Sequence, residues 1–382
     1  MAPFRARPSG RVCSHPLALR LGASDVSDGG VSWAVGAATL ARSRSTLQRQ
    51  SNRKELPVNP DPGAVAELLA AVYGHEVDSS VTYPTGVAFS GRLRLATGQT
   101  AKGESPTDVA AQISRIAEPL LQEPAAVPEA APCLALACFA DELFAVTGAA
   151  QHREFLLHQA NRFVADPDVR VEDFFFAGTL LGRAYALTGE ASYRDQLVSF
   201  LRSIDTCQPN GLYWHCHASP WHWGRGNAFA ALGFTEALSC LHPEADVDDL
   251  LATHVEHLTA LAQHQDETGL WHQLIDDSTT YLEHSATTMI GYAIARGLRR
   301  GWLSEDPCQE VVNRAWQGAA ERIGTGGELD QVCIGTGPLQ SRQAYVERPF
   351  STGVDARGGA MALWFAVEML RLREEGEAAG EG

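Results

Sequence analysis

Three stretches of this chain follow one plan, an apolar run with helical spacing that ends in Thr-Gly. They are GVAFSGRLRLATGQ (86–99), LALACFADELFAVTGAAQHRE (134–154) and FFFAGTLLGRAYALTGEASYRD (174–195). The Thr-Gly pairs begin at positions 97, 147 and 188, so they lie 50 and 41 residues apart. A period of this length predicts repeated helical hairpins, because one hairpin cannot bury its apolar face alone and must stack on a neighbour.

The glycine of each Thr-Gly pair gives a physical reason for the helix to stop. Gly98, Gly148 and Gly189 are predicted to take the left-handed backbone conformation that ends many helices at low cost. A second, more polar helix then begins, for example SYRDQLVSFLRSI (192–204). Within the third run, Gly178 leaves room for a closely packed neighbour.

The helical spacing of apolar residues continues downstream. The predicted helices there cover 227–241, 246–265, 285–300, 307–322 and 358–373. Ser285 is predicted to cap the third of these helices. The short pieces LYWH (212–215) and LWHQLI (270–275) are predicted to form small hairpins in loops.

Helices of roughly 12 to 18 residues, paired and repeated, give about ten to twelve helices between residues 60 and 375. The predicted fold class is therefore all-α, and a closed ring of six helical hairpins, the (α/α)6 barrel, fits this number. An open superhelix of helix pairs is the alternative. The long Gly- and Trp-rich loops favour the ring, because in a ring they gather at one mouth.

Charge divides the chain into three parts. Residues 1–55 hold nine Arg and Lys against three acidic residues, a net charge of +6, which leaves −22 for the rest of a chain whose total is −16. We interpret this segment as a disordered basic extension, although an organellar transit peptide has the same composition. Residues 56–375 are predicted to form the barrel, and residues 376–382 an acidic, solvated tail.

Composition narrows the classes of function. An apolar content of 45% and a charged content of 20% are typical of a globular protein, and the sequence has no membrane-spanning apolar run. The net charge of −16 argues against a nucleic acid or an anionic membrane as a partner. The eight cysteines form no CxxC pair, and we interpret them as reduced core thiols of a cytoplasmic protein. The sequence leaves the oligomeric state open.

The stretch HCHASPWHWGRGNAF (215–229) concentrates aromatic and imidazole rings around an Arg and an Asn. One interpretation is a zinc site, because His215, His217 and His222 are all possible ligands. However, the stretch lacks the ligand spacing of a recognised zinc motif. The metal interpretation is therefore the weaker one, and neither a metal nor an organic cofactor is predicted.

A sugar-binding surface fits the same stretch better. Trp223 and Arg225 lie two residues apart, as do Asn227 and Phe229, and in an extended segment such residues point the same way. An aromatic face can carry the apolar side of a sugar ring, and an Arg fork can hold a carboxylate. The alternative is that the two aromatic rings are core residues and that Arg225 pairs with an internal acid.

Asp173 lies at the start of an apolar helix, in RVEDFFFAG. It can serve as the N-cap of that helix. It can also be a carboxylic acid whose apolar surroundings raise its pKa, so that it donates a proton near neutral pH. The residue alone leaves both interpretations open, and the neighbouring Glu172 is predicted to be solvated.

With these residues in view, the chain resembles the unsaturated glucuronyl and rhamnogalacturonyl hydrolases of glycoside hydrolase families 88 and 105. The resemblance runs from about residue 80 to residue 372. Five stretches carry it: TYPTGVAFSGRLRLATG, EDFFFAGTLLGRAYALTGEASY, GLYWH followed by WGRGNAF, GLWHQLIDD with EHSATTMIGYAIARGLRRGWL, and ELDQVCIGTGP with GGAMALWFAVEML.

The resemblance implies an (α/α)6 barrel and an unusual hydrolysis. The substrate would be an oligosaccharide left by a polysaccharide lyase, with a 4,5-unsaturated uronic acid at its non-reducing end. In that family a carboxylic acid protonates C4, water adds at C5, and the resulting hemiketal collapses and releases the remaining sugar. The reaction needs one group that acts first as acid and then as base, rather than the paired carboxylates of ordinary glycosidases.

The family's functional residues carry over to individual positions of this chain. Asp173 matches the acid/base aspartate, His215 the histidine of the GLxYH stretch, and Arg225 the arginine that meets the uronate. The resemblance therefore implies that Asp173 is catalytic and that the other two bind substrate.

Four further positions complete the implied substrate-binding set. Trp223 and Phe229 match the two aromatic walls of the pocket, with Phe229 where the family usually has Trp. Tyr83 matches an aromatic residue of the first helix, and Asn227 belongs to the same WGRGNAF stretch.

The chain also departs from the family at three positions. Pro132 stands where the family has a second aspartate, Val171 where it usually has Trp, and Arg162 where it has His. Two hypotheses follow: a hydrolase of unsaturated uronyl oligosaccharides, or a catalytically impaired member that binds a carbohydrate or a partner.

Overall fold

The computed structural model describes residues 60–98, 103–243 and 246–380 of the chain. The predicted basic extension, residues 1–55, lies outside the described residues. Among the helices in the described ranges, none is long and apolar enough to cross a membrane.

Fifteen α-helices and four short strands are present in the described residues. The helices are α1 (Pro62–Val72), α2 (Tyr83–Ala96), α3 (Pro106–Gln122), α4 (Ala131–Leu134), α5 (Ala140–Thr147), α6 (Ala150–Arg162), α7 (Val171–Ala177), α8 (Arg183–Thr188), α9 (Ala191–Arg202), α10 (Gly224–Leu241), α11 (Asp248–Gln263), α12 (His284–Arg299), α13 (Glu305–Ala320), α14 (Arg342–Val346) and α15 (Ala356–Gly380). The strands are β1 (Trp271–His272), β2 (Leu282–Glu283), β3 (Leu329–Cys333) and β4 (Phe350–Gly353).

Two of the predicted helical runs are continuous but not uniformly α-helical. A 3₁₀ segment, Ala135–Phe139, joins α4 to α5, and a π-helical segment, Gly178–Gly182, joins α7 to α8. The strands form two antiparallel pairs, β1 with β2 and β3 with β4. The first pair and the isolated bridge between Cys207 and Tyr213 lie in the loops where small hairpins were predicted.

The inner helices form a closed ring. Going round it, α2 packs on the α4–α5 run, which neighbours the α7–α8 run, followed by α10, α12 and α15. The ring closes because α15 packs against α2 as well as against α12. An open superhelix has no such contact between its first and last repeats, so the structure confirms the closed ring.

A second layer of helices covers the inner ring. Helices α3, α6, α9, α11 and α13 each pack on the inner helix that precedes them in the chain, and α1 packs on α15. Within the described residues this makes six inner and six outer elements, which is the (α/α)6 arrangement. The core between the layers is a single apolar cluster that runs through all of these helices.

The Thr-Gly helix ends follow the prediction at two of three sites. Gly148 and Gly189 take left-handed backbone angles, with φ of 66° and 71°. The prediction is wrong for Gly98, because α2 ends in a tighter turn in which the Gly98 N–H donates to the Leu95 carbonyl at 3.1 Å. In that geometry the chain leaves the helix without a left-handed residue.

Close helix packing depends on facing glycines, as predicted for Gly178. A Cβ atom added to Gly178 would lie 2.6 Å from the Gly233 carbonyl oxygen, and one on Gly233 would lie 2.4 Å from the carbonyl carbon of Phe174. Backbone therefore touches backbone where α10 crosses the α7–α8 run. This contact fixes the start of α7, which carries Asp173, against α10.

The C-terminal halves of the inner helices share a buried network of charges. Glu236 of α10 accepts hydrogen bonds from Arg94 at 3.2 Å, from Arg183 at 2.9 Å and from the Tyr292 hydroxyl at 2.6 Å. In α15, Glu368 binds the Arg296 guanidinium through both carboxylate oxygens, at 2.6 and 2.7 Å. Each buried charge thus has an opposite charge beside it, which offsets the cost of removing it from water.

The predicted acidic tail, residues 376–382, is partly described. Helix α15 continues to Gly380, so residues 376–380 of the predicted acidic tail are helical. Residues 375–378 are exposed, as expected of a charged segment. The last two residues of the predicted tail lie outside the described part of the chain.

Candidate active site

One end of the barrel holds a cavity of about 750 Å³, within the range of roughly 300 to 1,000 Å³ that is usual for small-ligand sites. Five of the six inner elements contribute residues from their N-terminal ends to its wall. Helix N-termini carry partial positive charge and unpaired N–H groups, so their convergence favours a negatively charged ligand.

The wall of the cavity mixes aromatic, acidic and basic side chains. Its apolar and aromatic members include Tyr83, Pro132, Phe176, Trp223 and Phe229. Its charged members are Asp78, Asp166, Arg170, Glu172, Asp173, Arg225, Asp355 and Arg357. The wall therefore combines flat apolar surfaces with groups that can bind or protonate a polar ligand.

Asp173 is a buried carboxyl group in this wall. It is the third residue of α7, where its Oδ2 accepts a hydrogen bond from the Arg170 N–H at 3.1 Å. Asp173 is therefore not the N-cap, a position that Arg170 occupies. Its Oδ1 accepts no hydrogen bond from residues 60–98, 103–243 or 246–380, which leaves that oxygen to the cavity.

The pKa of Asp173 is set by its surroundings. Burial raises it from 3.8 to about 6, and the hydrogen bond from the Arg170 backbone lowers it by less. Burial thus outweighs the stabilisation that a helix N-terminus gives a carboxylate. A carboxyl group of this kind is half protonated near pH 6 and still partly protonated near neutral pH, so it can give a proton to a ligand.

Glu172 departs from its prediction. Only 13% of its side chain is exposed, and its carboxylate oxygens lie 3.2 and 3.1 Å from Nε2 of His215. The solvated interpretation is wrong because a fully buried histidine from the 215–229 stretch packs directly behind Glu172. Glu172 lines the cavity immediately beside Asp173.

His215 lies behind the cavity wall and not in it. Its ring is fully buried, 4.8 Å from the Trp223 ring, and its Nδ1 lies 2.5 Å from the Tyr345 hydroxyl. Direct substrate binding, which the resemblance implied for His215, does not fit this position. The structure gives His215 contacts to the wall residues Glu172 and Trp223 instead.

The WGRGNAF stretch is helical rather than extended. Helix α10 begins at Gly224, so Arg225 and Phe229 are four residues apart on one helical face, and both line the cavity. Asn227 points elsewhere: its amide accepts from the Tyr213 N–H at 2.8 Å and donates to the Tyr213 carbonyl at 3.0 Å. The predicted substrate contact of Asn227 does not fit, because its side chain pins the preceding loop.

Arg225 is held by backbone oxygens. Its guanidinium donates to the carbonyls of Cys333 and Ile334, the latter at 2.6 Å, and lies 5.1 Å from the centre of the Trp223 ring. Arg225 forms no direct ion pair with a carboxylate among the described residues. Its Nη1 contacts the Ser285 hydroxyl at 3.4 Å, and this hydroxyl donates to the Glu283 carboxylate at 2.8 Å, so the predicted internal acid acts on Arg225 only through Ser285. The charge of Arg225 is therefore available to an anionic ligand.

The aromatic residues form a continuous surface. The Tyr83 ring centre lies 5.5 Å from that of Phe229 and 5.7 Å from that of Phe176. Burial raises the pKa of Tyr83 to about 12, so its hydroxyl stays protonated. Trp223, at the N-cap of α10, completes the aromatic part of the wall. Both Trp223 and Phe229 are also buried members of the apolar core, as the alternative interpretation predicted.

Of the three departures from the family pattern, one lies in the cavity. Pro132, at the start of α4, lines the wall, so an apolar ring stands where a carboxylate was expected. Val171 is fully buried beneath the site. Arg162 lies outside the wall and donates to the carbonyl of Val127 at 2.8 Å.

The structure adds residues that the sequence did not single out. Asp355 begins α15 by accepting the backbone N–H groups of Arg357 and Gly358 at 2.9 and 3.1 Å, and it pairs with the Arg357 side chain at 2.9 Å. Thr336 and its flanking glycines close the wall from the loop after β3. The stretches ELDQVCIGTGP and GGAMALWF marked these regions, but their spacing gave no signal that they meet at the cavity.

The cap of α12 also differs from its prediction. Glu283, not Ser285, is the N-cap residue, and its carboxylate accepts the backbone N–H of Ser285 at 3.0 Å and of Ala286. The Ser285 hydroxyl is bound to the same carboxylate at 2.8 Å. The Glu283–Ser285 stretch thus acts in helix capping, behind Arg225.

The three candidate zinc ligands point to different partners. His215 contacts Glu172, His217 lies 2.7 Å from Asp205, and His222 lies 3.0 Å from Asp276. No group of three or more potential metal ligands occurs in the described part of the chain. The stretch therefore does not converge on a single ion.

A closed ring of six helical hairpins, with an aromatic-walled cavity and the buried carboxyl group of Asp173 at its N-terminal mouth, is the architecture of the six-hairpin glycosidases. The model of Glycosyl Hydrolase Family 88 matches residues 146–373, and the chain belongs to this family. The matched range includes Asp173 and the WGRGNAF stretch, whereas Tyr83 and Pro132 lie before it.

Individual relatives agree with this assignment. The chain is 28% identical over 263 residues to the unsaturated rhamnogalacturonyl hydrolase YesR of Bacillus subtilis (strain 168), covering 61% of this chain and 73% of the relative. Its fold is similar to that of a possible member of the GH105 family from Klebsiella pneumoniae subsp. pneumoniae MGH 78578. The TM-score is 0.71 at 21% sequence identity, and the match covers 88% of this chain and 99% of the other. The fold is also similar to that of the unsaturated glucuronyl hydrolase of Bacillus sp. GL1. Here the TM-score is 0.59 at 16% sequence identity, and the match covers 81% of this chain and 95% of the other.

Proposed function

We propose that this protein hydrolyses oligosaccharides that carry a 4,5-unsaturated uronic acid at the non-reducing end. The observation that carries the proposal is Asp173, a buried acid with a pKa of about 6 that faces a cavity lined by aromatic rings. The relatives named as unsaturated uronyl hydrolases support the substrate class.

The proposed reaction uses Asp173 twice. Its carboxylic acid gives a proton to C4 of the double bond, and positive charge develops at C5 beside the ring oxygen. A water oxygen then bonds to C5, and the proton that this water loses returns to the Asp173 carboxylate. The bond between C4 and C5 becomes single, one water is consumed, and the hemiketal opens and releases the rest of the sugar.

The other wall residues have binding roles in this proposal. The Arg225 charge and the N-terminal ends of the inner helices attract the uronate carboxylate. Trp223, Phe229 and Tyr83 supply apolar surfaces for the sugar rings. Asn227 and His215 act indirectly, by fixing the loop and the wall behind these contacts.

The test is loss of the ultraviolet absorbance of the conjugated double bond. Unsaturated disaccharides from rhamnogalacturonan and from glycosaminoglycan lyases form the panel, and the protein is expected to bleach at least one of them. Asp173→Asn should abolish the reaction, whereas Asp205→Asn, an exposed aspartate outside the cavity, should not change it. Binding of a panel member without turnover would contradict the proposal and favour a carbohydrate-binding role.

We also propose a cytoplasmic location. The seven cysteines of the described residues are all unpaired thiols, which is typical of a reducing compartment. Fractionation of cells that express the full chain tests this, and recovery in a secreted fraction would contradict it.

A further inference from the structure

Glu172 and Asp173 place two adjacent carboxyl groups at one cavity, in different surroundings. Asp173 receives a hydrogen bond from the backbone alone, whereas both oxygens of Glu172 lie within 3.2 Å of His215 Nε2. Neighbouring carboxyl groups whose surroundings differ in this way divide their protons unequally. The proposed function uses only one of the two.

The hydrogen bonds behind Glu172 form a directed chain. The Leu339 N–H can only donate, and it reaches the Tyr345 hydroxyl oxygen at 3.1 Å. The Tyr345 proton is then free to donate to His215 Nδ1 at 2.5 Å. A histidine that accepts at Nδ1 carries its proton on Nε2, and this proton points at Glu172.

This chain ends on the Glu172 carboxylate as an acceptor. The Nε2 proton of His215 is accepted by Oε1 of Glu172, whereas Oε2 is buried without a hydrogen-bond partner among the described residues, so the chain is complete at Oε1 alone. Tyr345 and His215 are both fully buried, and the His215 ring is packed on Trp223. The chain is therefore rigid, and it fixes a negative charge at the cavity edge.

Other charged groups also face Asp173. Its own segment contributes Arg170 and Asp166, which pair with each other at 3.1 Å. The remaining charged residues of the cavity wall come from the loop before α2 and from the starts of α10 and α15: Asp78, Arg225, Asp355 and Arg357. Asp355 and Arg357 pair with each other at 2.9 Å, and Asp78 is bound by the Ser80 N–H at 2.8 Å.

We propose that Glu172 is a positioning residue for the reaction: the chain from Leu339 through Tyr345 and His215 holds its carboxylate at the same cavity edge as Asp173, and its negative charge adds to the effect of burial in favouring the protonated form of Asp173. The part of this proposal that concerns catalysis rests on the proposed function. It also accounts for a cavity in which Pro132 replaces a carboxylate, because Glu172 supplies a second carboxylate from the adjacent position.

The first test needs no substrate. Carboxyl carbon NMR of the full-length protein follows the titration of Asp173 in the native sequence, in Glu172→Gln and in Asp276→Asn. The last variant is a matched control, because Asp276 pairs with His222 at 3.0 Å away from the cavity. In Glu172→Gln the Asp173 midpoint should fall by roughly 0.5 to 1 pH unit, the effect of one nearby charge at a protein surface.

Two results would overturn the proposal: an unchanged midpoint in Glu172→Gln, or an equal fall in Asp276→Asn. Glu172→Ala also removes the charge and should lower the midpoint by a similar amount, which provides the test if Glu172→Gln does not fold, and an unchanged midpoint there would equally overturn the proposal. Nitrogen NMR should also find the His215 proton on Nε2, and a proton on Nδ1 would contradict the directed chain.

The second test uses turnover of the disaccharide that the panel identifies. In Glu172→Gln the fall of kcat/KM with rising pH should begin at a lower pH, by the same amount as the NMR midpoint. A purely structural role would instead lower kcat/KM equally at every pH, and that result would refute the proposal. If the native protein turned over no panel member, the proposed function would fail, while the NMR titration would still decide the role of Glu172.

Discussion

The guanidinium of Arg225 lies 5.1 Å from the centre of the Trp223 ring, across the first turn of α10. The ring covers one face of the guanidinium, and the carbonyls of Cys333 and Ile334 take two of its N–H groups. Arg225 thus joins α10 to the loop after β3 and places its positive charge at the cavity wall, without a direct ion pair to any carboxylate of the described ranges. Binding and loop attachment depend on the same planar group.

Replacing Arg225 by Lys should therefore loosen the loop after β3 and weaken substrate binding together. Lysine keeps the charge but cannot reach two carbonyls and stack on Trp223 together, and a lost bidentate contact costs on the order of 1 to 3 kcal/mol. We expect KM to rise at least tenfold. Arg348→Lys is the control, since Arg348 binds the same loop through Thr336 at 2.9 Å; an equal rise in KM there would assign the effect to loop attachment alone.

The activity should depend on pH through Asp173. The first step needs the protonated acid, and the pKa of Asp173 is raised to about 6. We expect kcat/KM to fall as the pH rises through about 6, approaching a tenfold loss for each further pH unit. A pH series with the reactive disaccharide measures this, and a flat profile from pH 5 to 8 would exclude Asp173 as the proton donor.

Asp173→Asn should stabilise the fold at neutral pH. The pKa of Asp173 is about 6 in the folded state and 3.8 in the unfolded chain, so between these pH values the folded state binds a proton that the unfolded chain has lost. The contribution of Asp173 to stability is therefore greatest below about pH 4 and is lost as the pH rises through about 6. Asn has no charge to bury, so the variant avoids the free-energy cost of ionising Asp173 in the folded state. At about 1.4 kcal/mol per pKa unit, its free energy of unfolding at pH 7.5 should be higher by roughly 2 to 3 kcal/mol. Urea unfolding should show this gain at pH 7.5 and little difference at pH 4.

Gly233→Ala should destabilise the barrel and weaken catalysis. The added methyl group would lie 2.4 Å from the Phe174 carbonyl carbon, so α7 and α10 must move apart. Overpacking of this kind costs about 1 to 3 kcal/mol, and the movement displaces Asp173. Gly182→Ala is the matched control, because its methyl group meets Cys240 at 3.4 Å, an ordinary contact; equal losses in thermal stability would contradict the prediction.

Glu236→Gln should destabilise the fold without changing the cavity. Two buried guanidinium groups, those of Arg94 and Arg183, would lose the charge that they share. Breaking a buried pair from one side costs roughly 3 to 5 kcal/mol. Chemical unfolding measures the loss, and Asp249→Asn, which breaks the exposed pair with Arg202, should change stability little.

The fold could be predicted from the sequence because its signals are local. Apolar spacing placed α12 within one residue of its observed bounds, and the glycines at 148 and 189 marked helix ends correctly. Gly98 failed because the last turn of a helix can tighten without a left-handed residue. The start of α10 was missed by three residues, since a glycine-rich stretch with a tryptophan has low intrinsic helix propensity and tertiary packing decides the outcome.

The site was less predictable because its contacts are distant in sequence. Asp173 and Arg225 stand at helix starts that face one mouth, and their residue types were informative. Glu172 and His215 are 43 residues apart, and nothing local indicates that they meet. Asp355 and Arg357 reach the cavity only because the last inner helix returns to the first.

The contact between α15 and α2 also sets the order of folding, because the barrel can close only after the last helix has been synthesised. A chain emerging from the ribosome exposes α2 early, but the partner that covers one side of α2 is α15, the last helix described. Domains this large tend to pass through partly assembled states with uncovered apolar surface. Since α15 begins with Asp355 and Arg357, the step that joins the two ends of the chain also finishes the cavity wall. A nascent chain that stops short of α15 has neither a sealed barrel nor a complete site.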